Sequence, residues 1–87
     1  RHQIKGIRMT NEEKYDKIFI DSFSVEKSVL NDKFVYQSVP EWDSVGHMSM
    51  IAEIEEAFEI EMETDDIIEF GSYTIGIQML AKYNVVI

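Results

Sequence analysis

Apolar residues recur at helical spacing in three stretches of the chain, with polar residues filling the positions between them. The first stripe is Tyr15, Ile18, Phe19 and Phe23, with Glu12, Glu13, Asp16 and Lys17 placed toward water. Thr10, followed three residues later by Glu13, forms a reciprocal capping box, so a helix is predicted from residue 11 to about residue 23. The second stripe is Val45, Met48, Ile51, Ile54 or Glu55, and Phe58, while Glu53, Glu56 and Glu59 fall largely on the other side. Ser44 opens it and is suited to be the N-cap, its hydroxyl accepting from one of the first unpaired backbone N–H groups. In the third stretch Ser72 caps a helix to about Lys82, with Tyr73, Ile77, Leu80 and either Ile75 or Met79 inward. Gly76 inside that helix costs about 1 kcal/mol against Ala, which points to a neighbour packed close against it.

The connections are as informative as the helices. Residues 24–41 carry Ser24, Ser28, Asn31, Asp32, Ser38 and Pro40 as punctuation. Loops of that length usually have a job. The apolar residues Val25, Leu30, Phe34, Val35, Tyr36 and Val39 imply that this one packs across the body of the protein, with room for one helical turn near residues 25–30. Pro40 disfavours helix at Val39 and delays the next helix to Ser44. Residues 59–63 alternate like a strand but have no partner strand, so an extended loop is expected. Thr64 is expected to cap a short helical segment, and Val85-Val86-Ile87 to pack back on the core. The predicted fold class is all-α: a small antiparallel four-helix bundle, three longer helices plus one short, with a long first loop.

Eighty-seven residues, 45% of them hydrophobic, make one small domain able to fold around a single core. Arg1, Lys5 and Arg8 set residues 1–8 apart, as a tag remnant or an N-terminal extension; the domain proper is 9–87, and His2 is expected to do no chemistry. Residues 9–87 hold only Lys14, Lys17, Lys27, Lys33 and Lys82 against all 17 acids, so a formal net charge of −9 becomes one of −12 in the body. Such a surface is repelled by nucleic acid and anionic membranes and steered toward basic protein surfaces. The chain has no cysteine, which removes disulfides and thiolate metal sites and fits a reducing cytoplasm. No apolar run reaches membrane-span length and no signal peptide is visible.

The chemistry concentrates in Glu41-Trp42-Asp43-Ser44-Val45-Gly46-His47-Met48 and the helix running on to Ile54-Glu55-Glu56-Ala57-Phe58-Glu59-Ile60-Glu61-Met62. This stretch resembles an acyl carrier protein, whose signature is Asp-Ser-Leu opening a helix that ends in a Leu-Glu-Glu-x-Phe-Gly-Ile type run. The match is ungapped over residues 43–62 and continues more weakly to Leu80. It implies a non-catalytic carrier in which Ser44 bears 4′-phosphopantetheine through a phosphodiester. The terminal thiol of that arm would hold an acyl or aminoacyl group as a thioester. Asp43, Val45 and His47 would surround the attachment point, and Met48, Glu53, Glu55 and Glu56 would face partners, with Met50 adding apolar surface. The implied partners are a phosphopantetheinyl transferase, an acyl- or aminoacyl-loading ligase and acyl-transferring enzymes; the carrier itself is expected to be a cytoplasmic monomer. In the family the aspartate equivalent to Asp43 assists metal-dependent transfer of the arm, but no metal site is assigned to this chain alone.

Departures from the pattern narrow the resemblance. Val45 replaces the usual Leu, Ser49 stands where fatty-acid-synthesis carriers show Glu, Glu59 replaces a Gly, and the Gly-Gly-x-Ser approach of peptidyl carriers is absent. Together they imply a specialised, discrete carrier. The reading from another class is an unmodified acidic helical adaptor using the same face. A Ser44–His47 hydrolase would have both residues on one side of the helix but no evident third group to orient the imidazole. His47 is either a surface residue or a contact to the arm or a partner, and Trp42 reads as a core or hinge anchor. A calcium loop at Glu63, Asp65, Asp66 and Glu69 lacks the regular spacing such loops need.

Overall fold

Helix α1 (Asn11–Phe23) begins where its capping box places it. Thr10 Oγ1 accepts from the Glu13 N–H at 3.1 Å, and Glu13 Oε1 accepts from the Thr10 N–H at 2.9 Å. A 3-10 turn (Lys27–Val29) follows, then α2 (Ser44–Phe58), α3 (Thr64–Glu69) and α4 (Tyr73–Ala81). The computed structural model describes residues 9–87, so the expectations for residues 1–8 lie outside the described residues. It is all-helical, with four α-helices and no strand among the described residues. Residues 60–63 run as a loop without a strand partner, as expected, whereas Glu59 closes α2 in the left-handed region (φ 55°) rather than starting the extended stretch.

The core is an aromatic cluster drawn from α1, the long connection and the segment before α4. Tyr15, Phe19 and Phe23 of α1 meet Phe34 and Trp42 of the long connection and Phe70 before α4, all at 4% exposure or less. Trp42 stacks on Phe23 at 5.0 Å and takes the edge of Phe19 at 5.5 Å. Contacts of this kind contribute about 0.5–1.5 kcal/mol each beyond their area burial. Met50, Ile51 and Ile54 of α2 and Leu80 of α4 fill the remainder, α1 packs against α2, and Val85 of the C-terminal tail is buried on the core.

Gly76 is needed for closeness: a Cβ there would stand 2.2 Å from the Tyr15 hydroxyl and 2.3 Å from Phe70 Cζ. Gly46 serves the same purpose at the start of α2, where a Cβ would lie 1.9 Å from the Glu41 carbonyl oxygen.

Four expectations need correction. Asp16 is buried, 4% exposed, because the 3-10 turn and α4 close over that flank of α1. Its carboxylate accepts from Lys27 Nζ at 2.7 Å and from the Tyr73 hydroxyl, the pairing a buried charge requires. The hydrogen bond to Asp16 holds the Lys27 ammonium above its ordinary pKa, and burial does the same for the Tyr73 phenol. Thr64 is the first residue of α3, not its cap; Glu63 is the cap, without a side-chain bond.

The buried face of α2 is rotated from the predicted stripe. It runs through Met50, Ile51 and Ile54, whereas Val45 and Met48 are 75% and 52% exposed. Followed back one turn, this face reaches His47, read from the sequence as a surface residue or a contact to the arm or a partner, and instead half-buried. Met50, read as surface, is therefore core. The fourth correction concerns Ser44 and belongs to the site.

Candidate functional site

Asp43, not Ser44, caps α2. Its backbone is extended, and Oδ1 accepts from the Gly46 N–H at 2.8 Å, satisfying one of the orphan donors at the helix start. An aspartate side chain serves as well as a serine there, and Pro40 and the turns after it bring Asp43 to that position one residue early. Ser44 is left as the first helical residue, exposed, with its hydroxyl freed from capping. That hydroxyl lies 3.3 Å from the Tyr36 hydroxyl.

Tyr36 reaches Ser44 because the long connection is a structured strap. The Tyr36 N–H donates to Gly71 O at 3.0 Å, the Tyr73 N–H to Phe34 O at 2.9 Å, and the Gln37 N–H to Trp42 O at 3.1 Å. A single antiparallel bridge pairs Val35 with Ser72. The strap thereby joins the approach to α2 with the junction between α3 and α4. Tyr36 then stands edge-on to both Trp42 and His47, at 6.3 and 5.9 Å.

His47 is a bridge inside the protein. The buried Trp42 indole N–H can only donate, so Nδ1 of His47 is the acceptor, at 3.0 Å. The ring proton must then sit on Nε2, which donates to the Ile67 carbonyl at 2.8 Å. The Trp42 and His47 ring planes lie within 11° of parallel. Both ring nitrogens are taken, so neither is directed at Ser44. This resolves Trp42 as a core anchor and shows that His47 ties α2 to α3.

Beside Ser44 a cleft of about 440 Å³ opens between Tyr36, Met48, Ile67, Ile68 and Phe70. Its rim is apolar and open, with Ile68 72% exposed and Met48 52%. A larger groove of about 510 Å³ runs between α1 and α2 past Lys14, Lys17, Ser49 and Glu53, but Ser44 does not line it. The cleft at Ser44 is thus the one placed to receive anything attached there.

The acidic residues divide by position. Glu53 and Glu56 are exposed on α2, while Glu55 is half-buried and its Oε2 accepts from the Met62 N–H at 2.9 Å, pinning the chain before α3. Asp66 is buried and accepts from Lys82 Nζ at 2.7 Å and from the Tyr83 hydroxyl. These two bonds, Lys82 first, hold its carboxyl below the usual carboxylate range. Among the described residues no group of three or more His, Cys, Asp or Glu side chains is arranged to hold a metal ion. Nor is any described helix long and apolar enough to cross a membrane.

The structure therefore brings Asp43, Ser44, His47 and Met48 together and leaves Val45 projecting beside them. Tyr36, Ile67, Ile68 and Phe70 were not singled out as site residues from the sequence. Their distance along the chain hides them, and the signal was the length of the first connection and its apolar residues, Tyr36 among them. Compared with family models, curated proteins and solved structures, the chain matches none of them.

Proposed function

We propose that the protein is a discrete acyl or aminoacyl carrier, bearing its cargo as a thioester on 4′-phosphopantetheine attached to Ser44. The observation that carries this reading is the Ser44 hydroxyl: exposed, relieved of capping by Asp43, and opening on an apolar cleft. A serine that only capped a helix would have its oxygen turned onto the backbone. A serine nucleophile would need a base, and the nearby imidazole has both nitrogens committed to Trp42 and Ile67. The residues present fit the arm: Ser44 would hold it, Tyr36 offers a hydroxyl beside the attachment oxygen, and Met48, Ile67 and Ile68 offer apolar contact.

When attached, the arm supplies a thiol that forms thioesters; the protein supplies position and recognition. In the loading reaction the Ser44 oxygen bonds to phosphorus as the diphosphate of coenzyme A breaks. Adenosine 3′,5′-bisphosphate then leaves, and the transferase takes the hydroxyl proton. In this reading the helices form an antiparallel bundle in a cytoplasmic monomer. Glu53, Glu56, Val45 and Met48 face a phosphopantetheinyl transferase, a loading ligase and acyl-transferring enzymes.

The test is intact mass after incubation with a broad-specificity phosphopantetheinyl transferase, Mg2+ and coenzyme A. One phosphopantetheine is expected on the parent and none on Ser44→Ala. No addition to folded protein, while a control carrier is modified, overturns the proposal. The exposed apolar trio Val45, Met48 and Ile68 amid acidic surface would then favour an unmodified interaction adaptor.

A further inference from the structure

The geometry behind the cleft points to the class of cargo, an inference that rests on the carrier reading and deepens it. We infer that the protein carries a short acyl group. The cargo stays in the outer cleft, because the way into the core is closed by the Trp42–His47–Ile67 bridge.

Three observations converge on this. Passage from Ser44 into the core between α2 and α3 is spanned by two polar bonds in series, Trp42 to His47 at 3.0 Å and His47 to Ile67 at 2.8 Å. An alkyl chain moving inward would part them and strand the indole N–H of a fully buried tryptophan, which nothing on a hydrocarbon could satisfy. The space behind is already full. Phe70 stands edge-on to His47 at 6.1 Å and lies on Phe19 at 6.4 Å, and Phe19 meets Trp42. Met50, Ile54 and Leu80 close the remaining sides at 0% exposure.

Finally, α3 is not free to swing out. Asp66 is tied to Lys82 and Tyr83, the Glu63 N–H donates to the Tyr83 hydroxyl at 2.9 Å, and the Met62 N–H is held by Glu55. The outer cleft, in contrast, is open, and its largely apolar lining carries the Tyr36 and Ser44 hydroxyls.

Acetyl-, butyryl- and hexadecanoyl-phosphopantetheine can each be transferred to the whole protein from the corresponding acyl-coenzyme A by a promiscuous transferase. Two readouts are then taken on each form: thioester cleavage by hydroxylamine, and the NMR resonance of the Trp42 indole N–H with amide exchange at Ile67 and Phe70. The same cleavage rate and an unmoved indole resonance across all three are expected. Slower cleavage of the hexadecanoyl form together with a shifted indole resonance overturns the inference while leaving the carrier reading intact. Failure to attach any arm overturns both.

His47→Leu replaces the bridge with an apolar side chain. In the folded variant the aromatic core behind is still filled, so the hexadecanoyl and acetyl thioesters are again expected to be cleaved at the same rate. A hexadecanoyl thioester cleaved more slowly than the acetyl form in folded His47→Leu would overturn the claim that the space behind the bridge is full. Should that variant not fold, the chain-length series on the parent decides alone.

Discussion

Asp43 supplies the acceptor for the Gly46 N–H while Ser44 supplies a free hydroxyl, and the two substitutions separate accordingly. Ser44→Ala is expected to change unfolding free energy in urea by less than about 0.5 kcal/mol, as for a surface site, while abolishing attachment of the arm. Asp43→Ala is expected to cost about 1 kcal/mol, as loss of an N-cap does. If Ser44→Ala were the more destabilising change, the capping assignment would be wrong. At His47 the same accounting applies to a buried donor. His47→Phe leaves the Trp42 N–H without an acceptor, and a loss of about 1–3 kcal/mol is expected. The chain has one tryptophan, so its fluorescence reports this position directly. The pairing of Trp42 with His47 was within reach of the sequence, five residues apart, but nothing in the spacing says that a histidine will turn inward. That required Ile67 to arrive from twenty residues on.

The helices were legible at their ends and less so in their orientation. The capping box at Thr10, the Ser72 cap and the inward side of α1 are local features, set within a turn or two by hydrogen-bond geometry. The rotation of α2 is not local: Val45 and Met48 keep helical spacing, yet the core takes Met50, Ile51 and Ile54. Gly76→Ala tests the packing of α4. An exposed helix would gain about 1 kcal/mol from the change, but here the new methyl meets Tyr15 and Phe70, and a loss of about 1–3 kcal/mol in thermal or urea unfolding is expected.

Helix α3, six residues long, is far too short to stand alone and depends on its ties. The folded-state pKa of Asp66 is depressed, so its stabilisation is fully present above the unfolded value, about 3.9, and is lost as pH falls through the lower folded value. The protection of α3 amides from exchange, relative to their intrinsic rates, is therefore expected to fall below about pH 4 in the parent. Asp66→Asn should show faster exchange already at neutral pH and a flatter acid limb. An unchanged acid limb in Asp66→Asn would assign the loosening to other carboxylates.

Over the whole molecule the balance of charge is the dominant long-range property. Lys17, Lys27 and Lys82 are engaged with Asp21, Asp16 and Asp66, and Glu53 and Glu56 are exposed on α2 without an ion pair to any of these three cations. On the proposed carrier reading, encounter with a basic transferase is expected to be electrostatically steered. The second-order rate constant of Ser44 modification is expected to fall as ionic strength rises and the screening length shrinks toward about 8 Å. Glu53→Lys with Glu56→Lys should lower that rate at low salt and leave thermal unfolding little changed. A salt-independent rate would show that apolar contact at Val45 and Met48 governs encounter. The sequence alone determined that the chain is helical, where α1 and α4 begin, how acidic it is, and which serine heads the helix of interest. Those properties depend on side-chain type, i to i+4 neighbours and simple counting. The tertiary structure alone decided which side of α2 is buried, that Asp16 and Asp66 sit inside with cationic partners, and that His47 bars the route from Ser44 to the core. Each depends on groups tens of residues apart meeting at hydrogen-bond distance, and only the folded packing specifies that.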